Sequence, residues 1–254
     1  MSDGVLSSTV AYRVRFDESG PSGTLRASTL LRYAQDAAWI HSERLGFDRD
    51  WYAGRGLTWV VRCAEVEVLS APLMGETLTV TTTIAGYRRV WARRWTEMLR
   101  ADGRPAATVL TDWVITDGRG APTRVPPEFV QLFGEAVGGF EPARVALPAP
   151  PDTAIERRFE VRPHELDPLA HANNAVYVDW LHELVAEVPG GPGLLDREPR
   201  RYRLEYAQAA APGMDLMARA WPFEGGIAYR LTGDGGDGGV ELLRATVGPP
   251  RQES

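Results

Sequence analysis

Apolar and polar residues alternate along much of this chain, and in two places the period of two gives way to a helical one. Thr9 to Phe16 reads as a strand, and Gly20-Pro21-Ser22-Gly23 breaks it. Leu30, Ala34, Ala37, Ala38, His41 and Leu45 then mark one face of a helix, with Ser28 as its candidate cap and Gly46 as its stop. After a short irregular piece, Leu57 to Leu69, Glu76 to Ala85, Val90 to Arg100 and Ala106 to Thr116 predict four strands. They are rich in β-branched and aromatic residues and are separated by turns at Gly75, Gly86, Gly103 and Gly118, the pattern of an antiparallel meander.

From Pro126 to Thr153 the chain is proline-rich, with only a short amphipathic piece near Phe129 to Phe133, and reads as a linker. Beyond it the order repeats. A strand at Ile155 to Arg162 precedes a helix at Asn173 to Val188, and further strands are expected at Arg201 to Gln208, Asp215 to Pro222, Ile227 to Thr232 and Val240 to Val247. Pro189-Gly190-Gly191 ends the second helix. The class is therefore α+β, with two similar domains at residues 8–125 and 154–248 joined by the linker 126–153. Gly233 to Gly239, with two aspartates among glycines, reads as a hairpin turn, since calcium-binding glycine repeats come in many copies.

Composition narrows the chemistry. All 28 cationic residues are Arg, so Schiff-base chemistry and a phosphate loop with its lysine are excluded. The formal charge of −6 disfavours nonspecific nucleic-acid binding, and the run of Arg88, Arg89, Arg93 and Arg94 with Trp91 and Trp95 is read as two strand faces with snorkelling stems, docking of an acidic carrier protein or coenzyme phosphate being the alternative. Cys63 stands alone in a strand, which rules out an intramolecular disulfide or a cysteine metal cluster and predicts a buried, inert thiol. No apolar run approaches the ~20 residues needed to span a bilayer, and the start lacks signal-peptide features. The expected location is cytoplasmic.

Candidate chemistry gathers before the second helix, where Asp167 and His171 stand near N–H groups that can face a developing anion. The order Leu-Asp-x-x-x-His-x-Asn-Asn-x-x-Tyr from Leu166 to Tyr177 resembles the signature of hotdog-fold thioesterases, above all the plant and bacterial acyl-carrier-protein (ACP) thioesterases. Other stretches resemble that family's landmarks in the right order: Thr29-Leu30-Leu31 with Gln35, Ala38 and His41, then Leu57 to Val61, Arg93-Arg94-Trp95, Val125 to Glu128, and Leu204-Glu205-Tyr206. The resemblance covers roughly residues 10 to 245.

It implies two tandem hotdog domains, a pseudo-dimer within one chain, and hydrolysis of a fatty acyl thioester of ACP or coenzyme A without cofactor or metal. A noncatalytic acyl-thioester binder is the alternative from another class, and further dimerisation is left open. Asp167 is the expected catalytic acid, as general base or nucleophile, with His171 beside it. The N–H groups of Ala172 and Asn173 are the expected oxyanion donors, and Asn174 is a structural brace. His41, His164 and His182 have no spacing that makes a metal site with His171. Three positions depart from the family: Leu169 replaces an Asn, and Ala209-Ala210 replace a Glu-Cys pair, with Glu205 as a distant substitute. Aligning Phe16 to Thr24 with Pro163 to His171 sets Gly20 against Asp167 and Thr24 against His171, so only the second half carries the acid and imidazole.

Overall fold

The computed structural model describes residues 3–133, 139–234 and 239–250. They fall into two compact units, Met1–Ala64 with Ser70–Ala143, and Glu65–Leu69 with Arg144–Ser254.

The first unit runs α1 (Asp3–Leu6), β1 (Ser7–Arg13), α2 (Ala27–Arg44), α3 (Arg49–Ala53), β2 (Thr58–Val68), β3 (Thr77–Arg88), β4 (Trp91–Arg100), β5 (Pro105–Thr116) and α4 (Pro127–Phe133), the end of β2 belonging to the second unit. Its strands lie in the order β1-β3-β4-β5-β2, and β1 with β3, β3 with β4 and β4 with β5 pair antiparallel. The helix α2 lies against β1, β3 and β5. Its buried Ala27, Ala34, Ala37 and Ala38 let backbone approach sheet, and Leu30 and Leu31 fill the space between. Helix and strand periods coincide with the apolar pattern because each element buries one face.

The second unit runs β6 (Ile155–Phe159), α5 (Val176–Val185), α6 (Gly191–Asp196), β7 (Arg200–Tyr206), β8 (Leu216–Phe223), β9 (Gly226–Gly233) and β10 (Val240–Gly248), in the strand order β7-β10-β9-β8-β6, all neighbours antiparallel. Its core is built around Trp180, Tyr177, Leu181 and Leu184 of α5 with Tyr202 and Tyr229 of the sheet.

Several expectations shift. Strand β1 stops at Arg13, because Phe16 opens a 3-10 turn and is 84% exposed rather than taking a strand face. Ser28 does not cap α2, which begins at Ala27 after Arg26, with no side-chain cap bond and Ser28 buried in the first turn. Gly46 does end it, in the left-handed region at φ 85°. The irregular piece contains α3, capped by Asp48, whose Oδ1 accepts the Trp51 N–H at 2.8 Å. The second helix starts three residues later than expected, because a turn occupies 173–175 and the Asn173 carbonyl accepts the Val176 N–H at 2.9 Å.

The second helix also stops short of Val188, at Val185 with Ala186 as its C-cap, so Pro189-Gly190-Gly191 does not end it but leads into α6, whose N-cap is Gly190. A Cβ on Gly191 would stand 1.8 Å from the Val185 carbonyl oxygen, so only glycine allows that approach. In the proline-rich segment, Phe129 and Phe133 of α4 join Phe47, Tyr52 and Ile84 in one apolar cluster. Cys63 is buried, and its thiol donates to the Ala143 carbonyl at 2.9 Å. The tip of the Gly233 to Gly239 turn, residues 235–238, lies outside the described residues.

The cationic run separates by face. Arg93 forms a two-pronged bond to Asp112, at 2.7 and 2.8 Å, while Arg88 pairs with Glu141. Arg94 turns the other way and meets His41 of α2. No helix among the described residues is long and apolar enough to cross a membrane.

Candidate active site

The loop that carries Asp167 is present twice. In the first unit the Gly20 N–H donates to the Thr24 carbonyl, Gly23 to Gly20, and Arg26 to Glu18, at 2.8, 2.9 and 3.1 Å. In the second, Asp167 donates to His171, Ala170 to Asp167, and Asn173 to Glu165, each at 2.9 Å. Ser19 bridges Leu25 as Leu166 bridges Ala172. Position 23 and position 170 are both left-handed, at φ 75° and 59°.

Each loop is tied to its helix by a glutamate. Glu18 accepts the Arg15 N–H at 3.0 Å and the Tyr33 hydroxyl at 2.5 Å; buried Glu165 accepts the Arg162 N–H at 2.7 Å and the Trp180 indole N–H at 3.3 Å. The fold therefore builds the same frame in both halves, and only the second carries an aspartate and a histidine at positions 167 and 171. These brace glutamates were not singled out from the sequence; their signal is an acid at the same place in each repeat.

Within the second frame, Asp167 Oδ1 accepts the Leu169 N–H at 2.8 Å, while no other hydrogen bond to this carboxylate is made among the described residues. The backbone of Leu169 thus orients the acid where the family's Asn is missing; its side chain is 43% exposed. His171 is exposed, and its backbone carbonyl, not its imidazole, is what meets Asp167. The two residues are neighbours across a tight turn, with no hydrogen bond between their side chains.

The expected oxyanion donors need correction. The Ala172 N–H donates to the Ala210 carbonyl and the Asn173 N–H to the Glu165 carbonyl, both at 2.9 Å, so neither is free to meet an oxyanion. The Asn173 side chain accepts the Ala175 N–H at 2.9 Å, and the Asn174 carbonyl accepts the Tyr206 hydroxyl at 2.9 Å. Glu205 does not substitute for the missing family acid: it is buried, with its oxygens bonded to Arg144 at 3.0 Å and to the Val145 N–H at 2.8 Å.

Tyr177, the last residue of the motif, is buried and polar at its tip. Its hydroxyl accepts the Ala210 N–H at 2.7 Å, and Ala210 in turn accepts from Ala172. Burial pushes the phenol up to about 12, the Ala210 N–H opposes this, and the charge of Asp167 adds to the rise. The Tyr in the motif was the available signal. No cluster of three or more His, Cys, Asp or Glu side chains that could hold a metal occurs among the described residues.

A long helix against an antiparallel sheet, made twice in one chain, defines a tandem hotdog protein. The chain belongs to the acyl-ACP thioesterase family, whose N-terminal domain model matches residues 6–133 and whose C-terminal domain model matches residues 149–230. A chloroplastic acyl-[acyl-carrier-protein] hydrolase of Cuphea viscosissima is 25% identical over 193 residues, covering 70% of this chain and 47% of that protein. The palmitoyl-acyl carrier protein thioesterase of Cuphea hookeriana is 25% identical over 194 residues, covering 68% and 45%. The chain thus spans about half the length of these curated relatives. Among solved structures, a putative oleoyl thioesterase of Lactobacillus plantarum superposes with a TM-score of 0.80 at 23% identity, over 96% of this chain and 97% of that one. The 12:0-ACP thioesterase of Umbellularia californica gives 0.78 at 22% identity, over 95% and 96%. At these identities the structures establish the fold.

Proposed function

We propose that this chain hydrolyses a fatty acyl thioester of ACP to the free acid and the carrier thiol, with Asp167 as the acid that acts on the thioester. The supporting observation is its carboxylate: Oδ1 is held by the Leu169 N–H, and no second hydrogen bond engages it among the described residues. As a base it takes a proton from water, whose oxygen attacks the carbonyl; as a nucleophile it attacks directly, and water later cleaves the acyl-enzyme anhydride. In both routes the C–S bond breaks and sulfur leaves with a proton. His171, exposed beside the carboxylate, hydrogen-bonds the thioester region or the water. The first unit has the same frame without acid or imidazole, which suits it to shaping the acyl pocket rather than to chemistry.

A second reading, a noncatalytic acyl-thioester binder, is favoured by Ala209 and Ala210 and by the engagement of Glu205 elsewhere. Mixing the full chain with acyl-ACP and with acyl-CoA while following thiol release separates the readings. Faster release from ACP supports the proposal, faster release from coenzyme A replaces the carrier, and binding with no release from either establishes the binder.

A further inference from the structure

In the second frame a chain of hydrogen bonds runs from the buried face of α5 to the turn that carries the acid. The Tyr177 hydroxyl accepts the Ala210 N–H at 2.7 Å, and the Ala210 carbonyl accepts the Ala172 N–H at 2.9 Å. That N–H belongs to the peptide group joining His171 to Ala172, and the carbonyl of the same group accepts the Asp167 N–H at 2.9 Å. The peptide that follows His171 is thus pinned at both ends, to the backbone of the acid and to Ala210. Ala209 and Ala210 have no polar side chains, so what their segment offers the turn is backbone.

The first unit shows which of these links the frame itself requires. Its Leu25 N–H, the counterpart of that of Ala172, donates to the Pro72 carbonyl at 2.8 Å. The next bond has no counterpart. Pro72 lacks an N–H, and Leu30 stands where α5 has Tyr177, at the same offset that relates Glu18 to Glu165 and Tyr33 to Trp180. Leu30 and Tyr177 are each 1% exposed, so an aliphatic side chain fills that place as completely as a phenol does. The loop therefore closes without a hydroxyl on the helix, and the hydroxyl–amide bond is present only in the unit that has Asp167 and His171.

We propose that Tyr177 is a positioning residue: through Ala210 its hydroxyl fixes the His171–Ala172 peptide, and with it the placement of Asp167 and His171. This role rests on the hydrolysis proposed above. Being buried, Tyr177 acts through its neighbours and not on the substrate.

Full-length wild type, Tyr177→Phe and Val185→Ala are compared well below their melting temperatures. Thiol release is followed from octanoyl and hexadecanoyl thioesters of ACP and of coenzyme A, and amide hydrogen exchange is read at Ala172. Tyr177→Phe leaves the buried Ala210 N–H without its acceptor. It is expected to lower kcat at least ~10-fold with KM within about twofold, the signature of misplaced reacting groups. Exchange of the Ala172 N–H should speed up at least ~10-fold. Val185→Ala removes buried methyl groups from the same helix and lies outside the chain of bonds. It should lower the melting temperature at least as much while keeping kcat within about twofold. Placing 4-aminophenylalanine at position 177, where its nitrogen can again accept the Ala210 N–H, should recover part of both kcat and the Ala172 protection. No release by wild type from any of the thioesters would remove the hydrolysis reading and this role with it. With an active wild type, full kcat in Tyr177→Phe, unchanged Ala172 exchange, or an equal kcat loss in Val185→Ala would overturn the positioning role alone.

Discussion

Asp167 does two jobs that one substitution can separate. Its Oδ1 accepts the Leu169 N–H and so shapes the turn, while its charge is what the proposed chemistry uses. Asp167→Asn keeps an oxygen for the turn and removes the charge, so turnover is expected to fall at least ~100-fold with the melting temperature little changed. Thiol release near the wild-type rate from folded variant would exclude Asp167 as the acid. Three residues on, Ala170 holds φ 59° where the equivalent position in the first frame is Gly23. Ala170→Gly should raise unfolding free energy by roughly 0.5 to 1 kcal/mol, the left-handed penalty less the extra entropy of glycine, as read from denaturant midpoints. Asp167 and His171 could be picked from sequence because four-residue spacing keeps them in one turn. The fate of the Ala172 and Asn173 amides could not, because it depends on the Ala210 and Glu165 carbonyls that folding delivers to them.

Strands were legible where one face is buried and the other is not, as along β3, and where glycine turns separate them. Short helices were not: α3 and α6 have too few residues to show a period, and α6 begins in a Pro-Gly stretch that reads equally well as a stop. Within α5, His182 shows how an element carries a pH response. Its Nε2 lies 2.7 Å from the Tyr202 hydroxyl; burial and then the charge of Arg200 pull the imidazole from 6.5 down to about 4. The unfolded chain binds this proton near pH 6.5 and the folded one only near 4, so the contribution is full above 6.5 and is lost as pH falls between them. The equivalent position in α2 is Gln35, which makes His182→Gln the apt comparison. Thermal melts from pH 7 to 4 should show the wild type losing more stability than the variant, by on the order of 2 kcal/mol. Parallel pH profiles would rule out a neutral buried His182 as their source.

On the scale of the whole chain, the repeat was readable but its division was not, since a boundary drawn in the linker misses the share that β2 gives to the second unit. Glu65 pairs there with Arg201 and Arg203, and Val66 and Val68 are fully buried. Residues 144–254 expressed alone should therefore be insoluble or lack a cooperative melt, through two unmatched guanidinium groups and a missing apolar strip. A soluble fragment melting as a single transition would refute this dependence. Glu65 and Arg201 are 136 positions apart, and this separation has a consequence in time. During synthesis the Glu65–Leu69 segment leaves the ribosome well before the strand that bears Arg201 exists. The second unit cannot complete itself until β7 to β10 have been made, so a pause in translation after the linker would leave that segment waiting without its partner.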